Sequence, residues 1–188
     1  MNAFVWTKMG IESGEDLNNI IHRKERERIA GRGEFWWGIG SSLGSAVRER
    51  ARAQGGTLPI IFSTMLSPAK REDVSPSKVW KWTKWKDEFG KIHNVPPYAK
   101  VISRGSELKK KHYALVCRSD SPLVEADGEN FDPYLCRTLQ DKIPGSSQVT
   151  ALLTGHHSGH KNGSYKIAFR ATLVAPWAPE LCEPVMVR

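Results

Sequence analysis

The stretch Glu34-Phe-Trp-Trp-Gly-Ile-Gly-Ser-Ser-Leu-Gly44 decides the order of the secondary structure in this chain. Its aromatic run is typical of a strand, and the two glycines after that run loosen the backbone. A helix to about Ala53 is expected next, capped by one of three serines, Ser41, Ser42 or Ser45. The apolar run Thr57–Met65 then predicts a strand that is buried on both faces.

The residues before this stretch predict one more strand and one more helix. Residues 3–8 form a short strand candidate, and Ser13 with Asp16 fits a capping box at the start of a helix. We expect that helix to run from about residue 15 to residue 30, with an apolar face made by Leu17, Ile20 and Ile21. Its second half, residues 22–28, carries charges of both signs and is expected to face solvent.

The rest of the chain is rich in short strand patterns. Strands are predicted at residues 79–85, 99–103 and 111–117, and residues 148–154 and 164–174 are expected to pair as a hairpin. The Asn162-Gly163 pair between the last two segments is a strong turn signal. Two helices followed by several strands indicate an α+β protein with a mixed or barrel-like sheet. We expect a single domain, in which a helical segment of residues 1–55 packs on a β-rich segment of residues 57–176.

The charge of the chain is unevenly distributed. Of 188 residues, 28 are Lys or Arg and 20 are Asp or Glu, which gives a formal net charge of +8. Residues 1–110 hold 20 of the basic and 12 of the acidic residues, so the whole basic excess lies there. A localised basic excess is the electrostatic footprint of a polyanion binder.

Other features of the composition exclude several classes of protein. No run approaches the roughly 18 apolar residues of a membrane span, so no membrane partner is expected. The cysteines Cys117, Cys136 and Cys182 are odd in number and far apart. That pattern predicts neither a disulfide framework nor a paired metal site, and the expected compartment is a reducing cytoplasm.

Three stretches could carry binding chemistry. The loop Gly38–Gly44 leads into a helix N-terminus, which suits a phosphate or carboxylate, although the dinucleotide-binding and P-loop patterns are absent. In Val79-Trp-Lys-Trp-Thr-Lys-Trp85, lysines alternate with rings that could stack on bases or fill the core. A loop of Gly and Ser does not hold metal ligands in place. The only metal candidates, all weak, are therefore His156, His157 and His160.

The sequence contains none of the common enzyme templates. It has no GxSxG, HExxH or HxE…PCxxC pattern, and no paired acid and base stands out. We therefore expect a protein without a cofactor and without catalytic residues. An enzyme whose catalytic site is assembled from distant residues stays open as an alternative.

The elements between Phe35 and Val174 follow a distinctive order. An aromatic strand leads through a small-residue loop into a helix, and the apolar strand Leu58-Pro-Ile-Ile-Phe-Ser63 and Lys/Trp-rich strands come next. This order resembles the PUA-like superfamily, which includes the EVE, ASCH and YTH domains. The resemblance implies a small mixed β-barrel flanked by the two N-terminal helices. It also implies a nucleic-acid-binding module that grips a base, often a modified one, in an aromatic pocket beside a basic surface.

The resemblance further implies roles for individual residues. One pocket wall, with its backbone N–H donors, would consist of Trp37, Gly38, Gly40, Ser41 and Ser42. The pocket floor would lie near Phe62 and Ser63, and the ring that stacks on the base would be Trp82 or Trp85. The residues expected to neutralise RNA or DNA phosphates are Lys70, Arg71, Lys81, Lys84 and Arg104. Such phosphate contacts weaken as the salt concentration rises.

Two other classes of function stay open at this level. A small-molecule enzyme or binder would use the Gly38–Gly44 loop and its helix N-terminus for a phosphate or carboxylate. An interaction protein would dock its partner on the helix of residues 15–30. That last hypothesis requires Leu17, Ile20 and Ile21 to be exposed.

Overall fold

The fold is known for most of the chain from a computed structural model, which describes residues 2–9, 17–39, 44–65, 83–87, 90–95, 100–101, 112–124, 127–139, 150–155, 165–174 and 180–182. The two α-helices are α1 Leu17–Ala30 and α2 Gly44–Ala53. The strands are β1 Ala3–Lys8, β2 Glu34–Ile39, β3 Thr57–Thr64, β4 Thr83–Lys86, β5 Ile92–Val95, β6 Lys100–Val101, β7 His112–Arg118, β8 Asn130–Phe131, β9 Arg137–Thr138, β10 Thr150–Thr154, β11 Tyr165–Val174 and β12 Glu180–Cys182. A 3₁₀ turn, Pro133–Leu135, lies between β8 and β9.

Ten of these strands form one mixed sheet. Its order is β6-β12-β7-β11-β3-β1-β10-β9, with β2 paired to β7 and β8 paired to β11. The ten-residue strand β11 is the centre of the sheet, because it pairs with β3 along one edge and with β7 and β8 along the other. Strands β1 and β3 are parallel. The N-terminal 55 residues therefore contribute two strands, β1 and β2, to the same sheet as the rest of the chain.

The main sheet is open, and the expected barrel is wrong. Among the described strands, none pairs β2, at one side of the sheet, with β9, at the other. Barrel closure depends on the meeting of two edge strands that are about a hundred residues apart in the sequence. The hydrophobic pattern of each strand reports which face is buried, and it carries no information about such a meeting. An α+β fold, mostly sheet with two described helices, remains.

The predicted hairpin of residues 148–154 and 164–174 is also wrong. Strand β10 pairs with β1 and β9, whereas β11 pairs with β3, β7 and β8. Two strands, β1 and β3, therefore separate β10 from β11 in the sheet. The turn signal Asn162-Gly163 lies outside the described residues. A local turn signal was outweighed by the pairing of β10 with a strand about 150 residues away.

Helices α1 and α2 cover one face of the sheet. Ile20 and Ile21 of α1, together with Val47 and Ala51 of α2, belong to the largest buried cluster. That burial removes the basis for a partner-docking surface on α1. The predicted helix ends are confirmed: Gly33 follows α1 with a φ of +98°, and Gly55 follows α2 with a φ of +82°. Glycine adopts this left-handed conformation without steric cost, which lets the chain turn back toward the sheet.

The opposite face of the sheet is covered by two different segments. Phe131 and Cys136 lie over Trp6 and its neighbours in a second buried cluster. The two-stranded sheet of β4 and β5, which we call the β4–β5 hairpin, covers a third cluster around Trp36. The candidate site lies where this hairpin, α1 and the end of β2 meet.

Candidate functional site

Strand β2 lies at the edge of the main sheet, and its register shows which way its main-chain groups point. It pairs with β7 in antiparallel fashion, Phe35 opposite Cys117 and Trp37 opposite Leu115. The Trp36 N–H donates to a side chain of α1 rather than to β7. Because hydrogen-bonded and non-hydrogen-bonded residue pairs alternate along an antiparallel ladder, the main-chain groups of Glu34, Trp36 and Gly38 point away from β7.

Two charged side chains of α1 close this outer edge at Trp36. Glu27 accepts a hydrogen bond from the Trp36 N–H at 3.1 Å, and the Lys24 ammonium donates to the Trp36 carbonyl oxygen. The two side chains also bond to each other, with 2.8 Å between Lys24 Nζ and Glu27 Oε1. They occupy the place that a neighbouring strand would take, and thus block strand addition at this point.

The expectation that the second half of α1 faces solvent is therefore wrong. Lys24, Glu25 and Glu27 are no more than 4% exposed. Burial lowers the pKa of the Lys24 ammonium below its usual value, while the charge of Glu27 acts in the opposite direction. Glu25 accepts a 2.8 Å bond from the Leu123 N–H and pairs with Arg28 at 2.7 Å. A mixed-charge helix pattern is usually solvated, but here the charges satisfy main-chain groups of other segments.

Trp37 is an aromatic residue of the predicted site whose ring has well-defined contacts in the structure. It is half-buried and meets the ring of Phe62 edge to face, with 4.8 Å between centroids. Phe62 in turn stacks on Phe169 at 4.5 Å. The Lys24 ammonium lies 5.6 Å from the centre of the Trp37 ring, within the range of a cation–π interaction. A fixed, partly exposed indole with a cation beside it can offer a stacking surface to a planar ligand.

Gly38 continues the outer edge of β2 beyond the point closed by α1. Its N–H and C=O point away from β7, as the alternation of the ladder requires. An added Cβ at Gly38 would meet no described atom within 4 Å. The space beside the main chain is thus open as far as the described residues extend. A donor and an acceptor stand side by side here, next to the Trp37 ring.

Phe62 and Ser63 do not face the same way, so they cannot line one pocket with their side chains. Phe62 lies in the cluster below α1 and α2. The Ser63 hydroxyl accepts a 2.7 Å hydrogen bond from Trp6 Nε1 on the opposite face. Successive side chains of a strand point to opposite faces, which is the reason for this separation. The structure joins Phe62, and not Ser63, to Trp37.

The β4–β5 hairpin places Trp85 inward and its lysines outward. The Trp85 ring meets Trp36 edge to face at 6.2 Å and is partly buried. Lys84, Lys86 and Lys91 are exposed on the hairpin, and we call them the hairpin lysines. The Lys84 ammonium donates to the side-chain oxygen of Asn94. The hairpin therefore presents positive charge to solvent, while the Trp85 ring packs on the core.

A buried histidine holds the hairpin against β2. His93 Nε2 is 2.8 Å from Asp87 Oδ2, and its Nδ1 is 3.5 Å from Glu34 Oε1. Burial acts to lower the pKa of His93, but the neighbouring carboxylates of Glu34 and Asp87 outweigh it and raise that pKa above the usual value. Burial likewise acts to raise the pKa of Glu34, and His93 outweighs it, so the pKa of Glu34 is lowered. We call these three residues the His93 cluster.

The His93 cluster is not arranged as a metal site. Its two carboxylates lie at opposite nitrogens of one imidazole ring, so the three side chains do not converge on a common point. Across the described ranges, no group of three or more His, Cys, Asp or Glu side chains could hold a metal ion. Cys117 is buried, and burial raises the pKa of its thiol, which makes a reactive thiolate unfavourable there.

Many of the predicted site residues fall outside the described part of the chain. They are Gly40, Ser41, Ser42, Trp82, Lys70, Arg71, Lys81, Arg104, His156, His157 and His160. Those that the structure does place are Trp37, Gly38, Phe62, Ser63, Lys84 and Trp85. Lys24, Glu27 and the His93 cluster were not predicted. His93 lies opposite Trp85 and shares its face, but this register is known only from the structure.

Comparison of the chain with protein-family models, with curated proteins and with solved structures found no match. The described helices include none that is both long and apolar enough to cross a membrane.

Proposed function

We propose that this chain is a nucleic-acid-binding module that holds a base against Trp37. The observation that carries the proposal is the setting of that ring: it is half-buried, braced by Phe62 at 4.8 Å and flanked by the Lys24 ammonium at 5.6 Å. The next residue, Gly38, directs a main-chain N–H and C=O outward. A ring for stacking and a donor–acceptor pair for a base edge thus lie together.

The chemistry of a base fits these groups. Stacking of a base on an aromatic side chain contributes about 1–3 kcal/mol. The edge of each common base carries a hydrogen-bond donor next to an acceptor, which the C=O and N–H of Gly38 can pair. A base inside a duplex cannot reach such a ring, so the ligand is single-stranded or has a flipped nucleotide.

The phosphate groups of the strand would contact the hairpin lysines. Lys84, Lys86 and Lys91 are exposed on a hairpin whose Asn94 is bonded to the Gly31 carbonyl and to Glu34, next to β2. The hairpin packs on the Trp36 face of β2, and the Trp37 ring lies on the other face, so a bound strand would pass over the open edge of β2 at Gly38 to reach both. Contacts of this kind release counterions and weaken with salt.

The test is a binding titration with labelled short single strands of RNA and DNA, followed by fluorescence anisotropy. Trp37→Leu should weaken binding about 5- to 150-fold, the loss of one base stack. Tyr134→Leu is the matched control, because Tyr134 is 58% exposed on the 3₁₀ turn, away from β2. Equal affinities of the two variants would contradict the role of Trp37. Salt-independent binding of a small phosphorylated compound instead would favour the small-ligand alternative.

A second pair of variants tests the main chain of Gly38. Gly38→Pro removes the outward N–H but breaks no bond to β7, and edge strands accept proline at such positions. Gly38→Ala keeps the N–H. Loss of one hydrogen bond weakens binding about 2- to 12-fold, so we expect that effect in Gly38→Pro and none in Gly38→Ala. The thermal midpoint of each variant controls for folding, and equal binding by both would show that the N–H makes no contact.

A further inference from the structure

The β4–β5 hairpin is a small unit that depends on a few contacts with the rest of the protein. Among the described strands, β4 and β5 pair with each other and with no third strand. Trp36 Nε1 donates to the Asn94 carbonyl at 2.8 Å, and the Asn94 side chain donates to the Gly31 carbonyl at 3.0 Å. An isolated two-stranded hairpin is marginally stable in water. The position of this hairpin therefore depends on the contacts that dock it to β2 and α1.

The His93 cluster is the charged component of this docking contact. His93 is fully buried between Asp87, from the turn after β4, and Glu34, from β2. With a protonated imidazole the formal charges of the three side chains sum to −1. With a neutral imidazole the sum is −2, and this charge lies in a buried space. Two buried carboxylates without a cation between them repel each other and lose their solvation.

Among the described residues, the following polar and charged groups surround the cluster. On the hairpin, the Lys91 N–H donates to Asp87 Oδ1 at 2.8 Å, and the Lys91 charge acts on Glu34. Trp85 of β4 lies 5.7 Å from the His93 ring. The end of α1 contributes the Gly31 carbonyl to Asn94, and Asn94 donates its own N–H to Glu34. Lys24 and Glu27 of α1 are engaged with each other and with Trp36.

We propose that the His93 cluster is a proton-controlled latch that keeps the β4–β5 hairpin docked. The protonated imidazole bridges a carboxylate of the hairpin to a carboxylate of the sheet. Loss of that proton at alkaline pH separates the two carboxylates and releases the hairpin, while the main sheet stays folded. The hairpin carries the hairpin lysines, so release would also displace that positive face. The latch itself does not depend on nucleic-acid binding.

The carboxylate partners of His93 determine whether docking of the hairpin is favoured at low or at high pH. Partners that favour the charged imidazole raise the pKa of His93 above its usual 6.5. The docking contribution is then complete below pH 6.5 and is lost as the pH rises through the higher value in the folded protein. The hairpin should accordingly be closed at pH 6 and open progressively above neutrality.

Amide hydrogen exchange across a pH series tests the latch directly. Exchange of the β5 amides, corrected for base catalysis, is compared with that of β3. We expect the β5 protection relative to β3 to fall between pH 6 and pH 9, because the docking contribution is lost as His93 loses its proton. Glu34→Gln, with one carboxylate removed, should flatten this dependence. His22→Gln is the control, since His22 lies on α1 outside the cluster, and it should behave as wild type.

A second measurement keeps the proposal testable if a variant does not fold. The imidazole carbon-bound protons of His93 in the wild-type protein report its titration by NMR. The latch is supported if the His93 pKa is above 6.5 and if the β5 protection changes over the same pH range as the His93 titration. A His93 pKa at or below 6.5 would overturn it. Constant β5 protection between pH 6 and pH 9 would overturn it as well.

Discussion

The buried pair of Lys24 and Glu27 leads to a prediction that separates two explanations of its presence. If the pair is only an ion pair, its replacement by apolar residues of similar size should be neutral or stabilising by about 1–4 kcal/mol. In this structure both side chains also satisfy the N–H and C=O of Trp36. Their joint removal leaves two buried main-chain groups without partners, at about 1–3 kcal/mol each.

The single and the double variant are therefore expected to be unstable for different reasons. Lys24→Met removes the nearer cation from the buried Glu27 carboxylate, leaves the partly exposed Arg23 at 3.6 Å, and should cost about 3–5 kcal/mol. The double variant Lys24→Met/Glu27→Leu should still cost about 2–6 kcal/mol, the sum for two orphan groups. For a chain of this length each kcal/mol lowers the thermal midpoint by about 2–4 °C. The single variant should thus melt about 6–20 °C below wild type.

Urea unfolding followed by tryptophan fluorescence, with circular dichroism for the thermal midpoint, measures these differences. The exposed pair Arg118 and Asp120, with 3.5 Å between Nε and Oδ1, provides the control. Arg118→Gln/Asp120→Asn should leave both midpoints almost unchanged, because exposed ion pairs contribute little. A double variant of Lys24 and Glu27 as stable as wild type would refute the edge-closing role.

Three further predictions follow from particular contacts. Phe62→Ala, at a fully buried ring stacked on Phe169, should cost about 3–5 kcal/mol in urea unfolding; a cost below about 1 kcal/mol would show that the ring is not packed as described. Gly31→Ala should destabilise by about 3 kcal/mol or more, because its Cβ would lie 2.2 Å from the Glu34 carbonyl oxygen. Gly38→Ala, with no described atom within 4 Å of the new Cβ, should melt as wild type does, and equal midpoints for the two glycine variants would contradict this packing. In acid, the carboxylate of Glu34 matters, because its pKa is lower in the folded protein than the usual 4.5. Its ionised form stabilises the folded protein above pH 4.5, and this contribution is lost as the pH falls through the lowered pKa. The thermal midpoint between pH 6 and pH 3 should therefore fall less steeply in Glu34→Gln than in wild type, and parallel curves would contradict this assignment.

Local patterns in the sequence predicted the elements that depend on neighbouring residues. Strand β1 was predicted at residues 3–8, and its bounds are confirmed. The strand at Thr57–Met65 is confirmed to within one residue, as are the helix ends expected at about residues 30 and 53. Each of these features is set by side-chain type and φ preference within a few residues.

The features that were missed depend on contacts between distant segments. The β10–β11 hairpin was wrong because β10 pairs with β1, across most of the chain. The barrel was wrong because, among the described strands, none joins β2 to β9. The charges of Lys24 and Glu27 become buried only because α1 lies along the open edge of β2. No pattern within one helix reports which strand edge will lie beside it. The separation of Phe62 from Ser63, by contrast, follows from strand alternation and could have been predicted.

For the site residues, too, the local pattern was informative and the contacts between distant segments were not. Trp37 and Phe62, expected at the wall and the floor of one pocket, have ring centroids 4.8 Å apart, and the pocket itself stays a prediction. Trp85 packs on Trp36, the core alternative that the alternating pattern allowed. The ammonium beside Trp37 is that of Lys24, which the sequence offered no reason to single out.

The most direct test of the proposed function is the salt dependence of single-strand binding by wild type and by one triple variant. If three hairpin lysines contact phosphates, the slope of log K against log salt should be about −2, which is about a 20-fold loss of affinity between 50 and 200 mM salt. Lys84→Gln/Lys86→Gln/Lys91→Gln should nearly abolish that slope. Replacement of Arg50, Arg118 and Arg137 by Gln, three exposed cations on other elements, removes the same charge and should preserve it. Equal slopes for the two triple variants, or no binding by wild type at either salt, would contradict the account.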